Sequence, residues 1–318
     1  MSQTAVTAPA DPAAVHPSAL PSTRRARRAS GAADNARMRS LTLGRGPVIR
    51  TVAMIALIVA AVLWAAPLVF SVAVSLKTEG DASAAPLRFW PEHGWTLANY
   101  ADVLRAGDIP RWITNSVIVS VIVTALTLLV SAPAAYAFSR HRFRARGLLF
   151  GLTIAAIMVP PQILIVPLFE QMKVLHLSDT LAGVALPQVV APLMVIVLKN
   201  FFDQIPAELE EAARIDGASN LRILTSVILP LSRSILVAVG IFVFIGAWNN
   251  FLWPFIVTNS PDLMTIPVGL GTVKNAYGVQ YAQTMAGAVI GALPLLIVFV
   301  LFQRHIVRGF ATTGLGGQ

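Results

Sequence analysis

One stretch of the sequence carries charged and small residues in a pattern suited to docking. Residues 211–219 read Glu-Ala-Ala-Arg-Ile-Asp-Gly-Ala-Ser and lie between two charge-free apolar runs, 180–198 and 234–261. The charges exclude this stretch from a membrane interior, and its helix-forming composition is unlike that of a disordered linker. The pattern predicts an ordered element that a membrane protein presents to a soluble partner.

A second set of candidate residues consists of neutral polar and aromatic side chains inside otherwise apolar runs. The set is Gln162, Gln188, Trp248, Asn249 and Asn250. Such groups can line a pathway for a neutral, hydrogen-bonding solute. They can equally hold neighbouring helices together by hydrogen bonds, and the sequence leaves both roles open.

Other kinds of site find little support in the residues. The chain has no cysteine, and its five histidines are scattered singly, so we predict no thiol chemistry, no metal site and no catalytic residues. Neither the G-x-x-x-x-G-K-[ST] nor the G-x-G-x-x-G phosphate-binding pattern occurs, so we expect no nucleotide or other cofactor on this chain. The sequence predicts that the protein is not an enzyme.

Composition places the chain in a membrane. Hydrophobic residues make up 56%, charged residues only 12%, and the mean hydropathy is +0.70. A soluble domain carries about 25% charged residues. The net charge of +9 comes from basic residues in an N-terminal tail and at the ends of apolar runs, a pattern that does not predict nucleic-acid binding.

Six charge-free stretches are near or above the roughly 20 residues that a helix needs to cross a bilayer. They are residues 52–76, 112–139, 147–169, 180–198, 234–261 and 275–303. A spanning segment must satisfy its own backbone, so we expect six transmembrane helices within a domain of residues 46–309. Residues 1–45 read as a disordered basic tail, and residues 310–318 as a short C-terminal tail.

The basic residues also predict the orientation. With a cytoplasmic N-terminus, eighteen lysines and arginines lie on the cytoplasmic side and six on the other. The positive-inside rule therefore predicts a multi-pass plasma-membrane protein with both termini in the cytoplasm. It also places the segment 203–233, which contains the Glu-Ala-Ala stretch, in the cytoplasm.

This segment reads as two short helices joined by a glycine turn. Pro206 suits the first position of a helix, and the acidic residues that follow suit its first turns, where the helix dipole favours anions. These acidic residues are Glu208, Glu210 and Glu211. Gly217 can end the helix in the left-handed conformation.

Ser219 can cap the second helix, in which Leu221, Leu224 and Ile228 predict an apolar stripe. Pro230 then precedes the fifth span. From the residues alone, the hairpin can dock a partner, lie on the membrane or pack on its own bundle.

The loop resembles the signature loop of binding-protein-dependent ABC importer permeases, and its longer form from residue 205 to 219 resembles the carbohydrate branch. The similarity covers about residues 52–309 and is closest to the smaller subunit of maltose-type permeases. Further matching motifs are Ala-Ala-Tyr-Ala-Phe-Ser-Arg at 134–140, Leu-Ala-Asn-Tyr at 97–100, Pro-Pro-Gln at 160–162 and Trp-Asn-Asn-Phe at 248–251. Asn250 departs from the family, since many relatives carry an acidic residue there.

The resemblance implies an all-α fold of six transmembrane helices like that of type I ABC importer permeases. It implies a coupling helix, between the fourth and fifth spans, that seats in a cleft of an ATPase. The contact residues would be Glu211, Ala212, Ala213, Asp216 and Gly217. The implied partners are an ATPase dimer that hydrolyses the ATP, a second permease of different sequence, an extracytoplasmic sugar-binding protein and membrane lipid.

The spans support an external energy source, because none carries an ionisable residue in its interior. Proton-coupled and ion-coupled carriers generally need such groups near the midplane. We therefore expect a permease subunit that forms half of a sugar pathway and takes its energy from a separate ATPase. A self-sufficient carrier or channel is the alternative.

Overall fold

The computed structural model describes residues 47–84, 88–105, 108–272 and 280–314. Throughout these residues the regular structure is helical, and no strand occurs among them. The predicted all-α fold is confirmed. The predicted N-terminal tail, the first residues of the predicted sixth span and the last four residues of the chain lie outside the described ranges.

The helices of the described residues range from five to 34 residues in length. In chain order they are α1 (Pro47–Ser75), α2 (Glu79–Ser83), α3 (Ala98–Arg105), α4 (Asp108–Arg140), α5 (Arg146–Ile157), α6 (Ile165–Val174), α7 (Leu181–Ala185), α8 (Pro192–Phe202), α9 (Glu208–Ile215), α10 (Asn220–Leu231), α11 (Arg233–Trp248), α12 (Leu252–Val257), α13 (Ile266–Thr272) and α14 (Tyr281–Gly314).

Within the described residues, three helices are long and apolar enough to cross a membrane: α1, α4 and α14. Three further spans arise if each bent pair of helices is taken as one. The pairs are α5 with Pro161–Val174, bent by 95°, Leu181–Gln188 with α8, bent by 47°, and α10 with α11, bent by 83°. The last pair includes α10, which belongs to the predicted loop 203–233.

Proline explains where several helices break. Pro160 and Pro161 follow the end of α5, and Pro192 is the first residue of α8. Proline donates no backbone hydrogen bond and disfavours helix in the residue before it. By contrast, Pro67 and Pro133 lie inside the continuous helices α1 and α4.

Contacts between residues divide the chain into Met1–Ala66 and Pro67–Gln318. In the first unit, the described part is the beginning of α1, where every residue from 48 to 66 is exposed. A helix that is apolar on all sides is typical of a membrane span.

In the second unit, α4 is the central helix and packs against both α8 and α11. Buried polar groups on α4 bind backbone elsewhere: Thr127 Oγ1 donates to the carbonyl of Val189 at 2.9 Å, and Asn115 Nδ2 donates to that of Met264 at 2.9 Å. Buried hydrogen bonds of this kind fix the neighbouring segments against α4 without any charge.

Candidate functional site

Helix α9 ends in a tight corner at Gly217. This residue has a φ of 78°, in the left-handed region that glycine adopts at little cost. Its N–H donates to the carbonyl of Arg214 at 3.0 Å, and the N–H of Ala218 donates to that of Ala213 at 3.0 Å. These two bonds form a Schellman motif, so the predicted glycine stop is present.

Ser219 caps the next helix as predicted. Its Oγ accepts a hydrogen bond from the N–H of Arg222 at 3.4 Å, which satisfies one of the free donors at the start of α10. The corner and the cap together fix the angle at which α10 leaves α9.

Two details of the loop differ from the prediction. Pro206 was predicted at the first position of α9, but Ala207 is the N-cap, because its carbonyl accepts from the N–H of Glu211 at 3.0 Å. In α10, Leu221 is 70% exposed. Leu224 and Ile228 are buried, as the predicted stripe requires, but a π-helical turn, Leu224–Ile228, replaces α-helical spacing there, and Ile223 is buried instead of Leu221.

The first helix of the loop is attached to the bundle by a buried ion pair. Glu210, on α9, lies 2.7 Å from Arg140, measured from Oε1 to Nε, and both side chains are largely buried. Nη2 of Arg140 also donates to the carbonyl of Phe202 at 2.7 Å and to that of Ile205. One guanidinium therefore joins the ends of α4 and α8 to the start of α9.

The pair is an electrostatic contact and not an aligned hydrogen bond, since neither Nε nor Oε1 has a hydrogen-bond partner among the described residues. The other carboxylate oxygen of Glu210 accepts from the hydroxyl of Tyr136 at 3.5 Å. A buried charge needs such partners to offset its lost hydration.

The predicted docking residues divide into two groups. Four of them are exposed: Glu211, Ala212, Asp216 and Gly217. Ala213 is half-buried and packs on the main hydrophobic cluster of the bundle. Beside them, Ile215 is 87% exposed, which adds an apolar side chain to this surface.

Three of the five predicted pathway residues lie together in one pocket. Gln162, Gln188 and Asn250 line a cavity of about 350 Å³, together with Trp253 and apolar neighbours. Each of the three lies at or beside a break in a helix. Irregular backbone of this kind is tolerated at membrane depth where it lines a cavity or is buried in protein.

Within the pocket the amide groups bind one another. Asn250 Nδ2 donates to Oε1 of Gln188 at 2.8 Å, and Nε2 of Gln188 donates to the carbonyl of Val184 at 2.8 Å. The indole Nε1–H of Trp253 donates to the carbonyl of Gly183 at 3.2 Å. The pocket therefore offers neutral donors and acceptors beside an aromatic ring.

The other two predicted pathway residues lie elsewhere. Trp248 is buried in a separate hydrophobic cluster, with its ring stacked on Phe244 at a centroid distance of 6.0 Å. Asn249 is exposed, and its Nδ2 donates to the carbonyl of Ile245 at 3.0 Å at the end of α11. Neither lines the pocket that contains Asn250.

Across the described residues, no group of three or more histidines, aspartates or glutamates is arranged to hold a metal ion.

Residues 127–312 match the family described as the inner membrane component of binding-protein-dependent transport systems. The matched segment is more than half of the chain, and it contains both the loop and the pocket. The chain belongs to this family. It is a membrane-embedded transport component and not an enzyme, and the resemblance inferred from the loop is confirmed.

Curated relatives carry names from sugar transport. The arabinooligosaccharides transport system permease protein AraQ of Halalkalibacterium halodurans is 38% identical over 70% of this chain and 80% of its own length. The trehalose/maltose transport system permease protein MalG of Thermococcus litoralis is 34% identical over 85% of this chain and 98% of its own length.

A solved structure shares the fold. It is a chain of a bacterial ABC transporter involved in the import of the acidic polysaccharide alginate, with a TM-score of 0.71 and 23% identity. The similarity covers 81% of this chain and 96% of that one. The helical permease fold thus has an experimentally determined counterpart over most of the chain.

The Arg140–Glu210 pair was not predicted from the sequence. Glu210 was grouped with Glu208 and Glu211 as a residue of the first helical turns, and nothing in that cluster distinguishes the one that is buried. The only available signal is that Arg140 directly follows the charge-free run 112–139 and so lies where a helix leaves the bundle.

Proposed function

We propose that this chain is a permease subunit of an ATP-driven sugar importer, in which residues 203–233 form the coupling loop. The observation that carries the proposal is an exposed α9 surface on a loop that Arg140 joins to the bundle, by a buried ion pair with Glu210 and by hydrogen bonds to carbonyls at the end of α8. Glu211, Ala212, Asp216 and Gly217 provide that surface, and Ile215 adds an apolar contact.

The partners follow from this assignment. An ATPase dimer would hydrolyse the ATP and receive α9 in a cleft, while this chain binds no cofactor. A second permease of different sequence would complete the pathway, and an extracytoplasmic sugar-binding protein would deliver the cargo. The excess of lysine and arginine supports cytoplasmic termini and a cytoplasmic loop in the plasma membrane.

Arg140 would transmit movement of α9 to the bundle helices. It contacts Glu210 on α9 and the carbonyls of Phe202 and Ile205 at the end of α8. A displacement of α9 by closing ATPase subunits would therefore move α4 and α8 with it. Because α10 meets α11 at 83°, the loop can lie along the membrane face while α11 enters the bundle.

The cargo assignment rests on the names of the relatives and on the chemistry of the pocket. Gln162, Gln188 and Asn250 are neutral hydrogen-bonding groups, and Trp253 adds an aromatic ring. Sugars present neutral hydroxyl groups and apolar ring faces, which these residues can match. Trp248 is buried and Asn249 lies outside the pocket, so we do not assign these two residues to the sugar pathway.

The test is charge reversal at Glu211. This side chain is exposed, so Glu211→Lys should leave the permease folded but weaken its association with the ATPase by about tenfold, or about 1.4 kcal/mol. Co-purification of the ATPase with tagged permease measures the effect. Gly217 is a poorer probe, because any side chain there is strained at a φ of 78°.

Glu170→Lys is the matched control, since Glu170 is an exposed glutamate on α6, outside the loop. It should leave ATPase association unchanged. Unaltered association in Glu211→Lys, or transport by the purified chain without any ATPase, would contradict the proposal.

A further inference from the structure

A polar pocket of about 550 Å³ lies beside the Arg140–Glu210 pair. It is separate from the pocket lined by Gln162, Gln188 and Asn250, which we call the amide pocket. Its walls come from the end of α4, the connection to α5 and the first turns of α9. The lining residues are Ser139, Arg140, Arg142, Arg146, Ala207, Glu210, Glu211 and Arg214. The docking proposal gives no role to most of these residues.

The pocket carries an excess of positive charge, with four arginines facing two glutamates. Glu210 is already paired with Arg140, and Arg214 lies only 3.9 Å from its other oxygen. Arg146 donates through Nε and Nη2 to the carbonyl of Phe138, at 3.1 and 2.6 Å, which neutralises none of its charge.

Of the four arginines that line the pocket, Arg142 alone has no partner among the described residues. In the described parts of the chain it makes no hydrogen bond or ion pair, although it lines a concave site. The pocket therefore holds the unpaired guanidinium of Arg142 and that of Arg146, which is bonded only to a neutral carbonyl. An anion entering the pocket would be attracted by both charges.

The surroundings of the pocket are apolar on one side. Helix α5 begins at Arg146 and has no buried residue along its whole length. Leu148 and Leu152 are 66% and 56% exposed, directly after the arginines in sequence. The arginines therefore lie at the first end of α5, and exposed leucines follow along the helix. A lipid has the matching arrangement, with a charged headgroup at one end and an apolar acyl chain beyond it.

We propose that this pocket binds the headgroup of an anionic phospholipid, with the phosphate held by Arg142 and Arg146 and an acyl chain lying along α5. Guanidinium groups recognise phosphate oxygens through paired, charge-assisted hydrogen bonds. A zwitterionic headgroup carries its own cation and is attracted less. Since Glu211 and Arg214 line the pocket and also belong to α9, a bound lipid would lie against the loop.

Native mass spectrometry of the full-length permease in detergent tests the proposal, with phosphatidylglycerol and phosphatidylcholine as probes. The wild type should retain phosphatidylglycerol in preference to phosphatidylcholine. One basic residue near an anionic lipid contributes about 1 kcal/mol, so Arg142→Gln should weaken phosphatidylglycerol binding about fivefold. Arg142→Lys keeps the charge but cannot form the paired hydrogen bonds, and it should restore the binding only in part.

Arg144→Gln is the matched control. Arg144 is an exposed arginine of the same connection that does not line the pocket, and its loss should leave the preference unchanged. An equal loss of binding in Arg144→Gln would overturn the proposal, because it would indicate a diffuse surface charge. No preference for phosphatidylglycerol in the wild type would also overturn it.

Two further experiments distinguish a bound lipid from other anions that the pocket could hold. Soluble glycerol phosphate should compete poorly with phosphatidylglycerol, and equal competition would assign the pocket to a soluble phosphate ester. If Arg142→Gln instead weakened ATPase co-purification while phosphatidylglycerol binding stayed intact, the pocket would receive a protein carboxylate. Either result would overturn the assignment to a lipid.

Discussion

The loop of residues 203–233 and the amide pocket both place polar groups inside an apolar protein, but they satisfy these groups in opposite ways. At the loop, two full charges are buried against each other, Arg140 on Glu210. In the pocket, neutral amides pair, Asn250 on Gln188. A buried ion pair is costly to separate, whereas an amide can exchange its partner for a ligand hydroxyl. The difference suits a rigid joint at one site and solute binding at the other.

Breaking the joint should have the largest effect. Glu210→Ala leaves Arg140 buried without its carboxylate, and loss of one partner of a buried pair costs about 3–5 kcal/mol. We expect a lower temperature of thermal unfolding for the purified permease and loss of ATP-driven transport. Glu210→Gln keeps the shape of the side chain and should be less destabilising.

Glu208→Ala is the control for the joint, because Glu208 is on the same helix and exposed. A surface substitution of this kind should change the free energy of unfolding by no more than about 0.5 kcal/mol. Equal effects of the two alanine substitutions would show that Arg140 and Glu210 do not fix the loop.

An intermediate effect is expected in the pocket. Asn250→Leu removes the donor to Gln188 and the acceptor that the backbone N–H of Trp253 reaches at 3.4 Å. Asn250 is half-buried, so the loss of stability should be about 1 kcal/mol, at the low end for unsatisfied groups. Sugar transport should fall by more than this loss explains.

Asn249→Leu is a matched control for the pocket. It makes the same substitution one residue earlier and loses a single local hydrogen bond, to Ile245. Transport measured at equal amounts of folded protein should stay near the wild-type rate. Equal transport defects in both variants would remove Asn250 from the pathway.

The smallest effect concerns a carboxylate outside both regions, that of Asp179, which joins the segment before α7 to the segment after α12 by hydrogen bonds. It accepts hydrogen bonds from the hydroxyl and N–H of Ser260 and from the N–H of Asn259. These bonds, the Ser260 hydroxyl foremost, lower the pKa of Asp179 below its ordinary value of 3.8. Hydrogen bonds of this kind favour the ionised carboxylate.

A lowered pKa in the folded state means that Asp179 stabilises the fold above the pKa of the unfolded chain, about 3.9. This stability is lost as the pH falls through the lower, folded pKa. Thermal unfolding should therefore be insensitive to Asp179 ionisation between about pH 5 and pH 8. Below about pH 4, the wild type should lose more stability than Asp179→Asn does.

Asp102→Asn, at an exposed aspartate of α3, is the control for the acid titration. Its acid-induced loss of stability should match that of the wild type. If Asp179→Asn showed the same acid sensitivity as this control, the hydrogen bonds to Ser260 and Asn259 would not stabilise the fold.

Local chemistry made much of the loop predictable from the sequence. Gly217 can adopt a left-handed turn and Ser219 can cap a helix whatever surrounds them, and both do so here. The burial of Glu210 depends instead on Arg140, seventy positions earlier, and no local pattern encodes that contact. The π-helical turn Leu224–Ile228 was likewise not predicted, and in this helix Ile223 is buried while Leu221, the first residue of the predicted stripe, is exposed.

The pocket was predictable only in part for the same reason. An amide or indole within an apolar run indicates a buried polar contact but does not identify its partner. Gln162, Gln188 and Asn250 line one pocket because three breaks between helices lie next to one another. The side chain of Trp248 is instead buried in a separate hydrophobic cluster. The direction in which the chain continues after each helix break depends on tertiary packing, so the sequence alone did not predict which residues meet.

Cross-linking at Ala212 tests the central claim most directly. The chain has no cysteine and Ala212 is exposed, so Ala212→Cys provides a single reactive thiol on α9. We predict that this thiol cross-links to the ATPase in the assembled transporter and resists impermeant thiol reagents added outside intact cells. Asn259→Cys, at an exposed residue after α12, should not cross-link to the ATPase and should react with the impermeant reagents. Labelling of Ala212→Cys from outside, with no cross-link to the ATPase, would contradict the account.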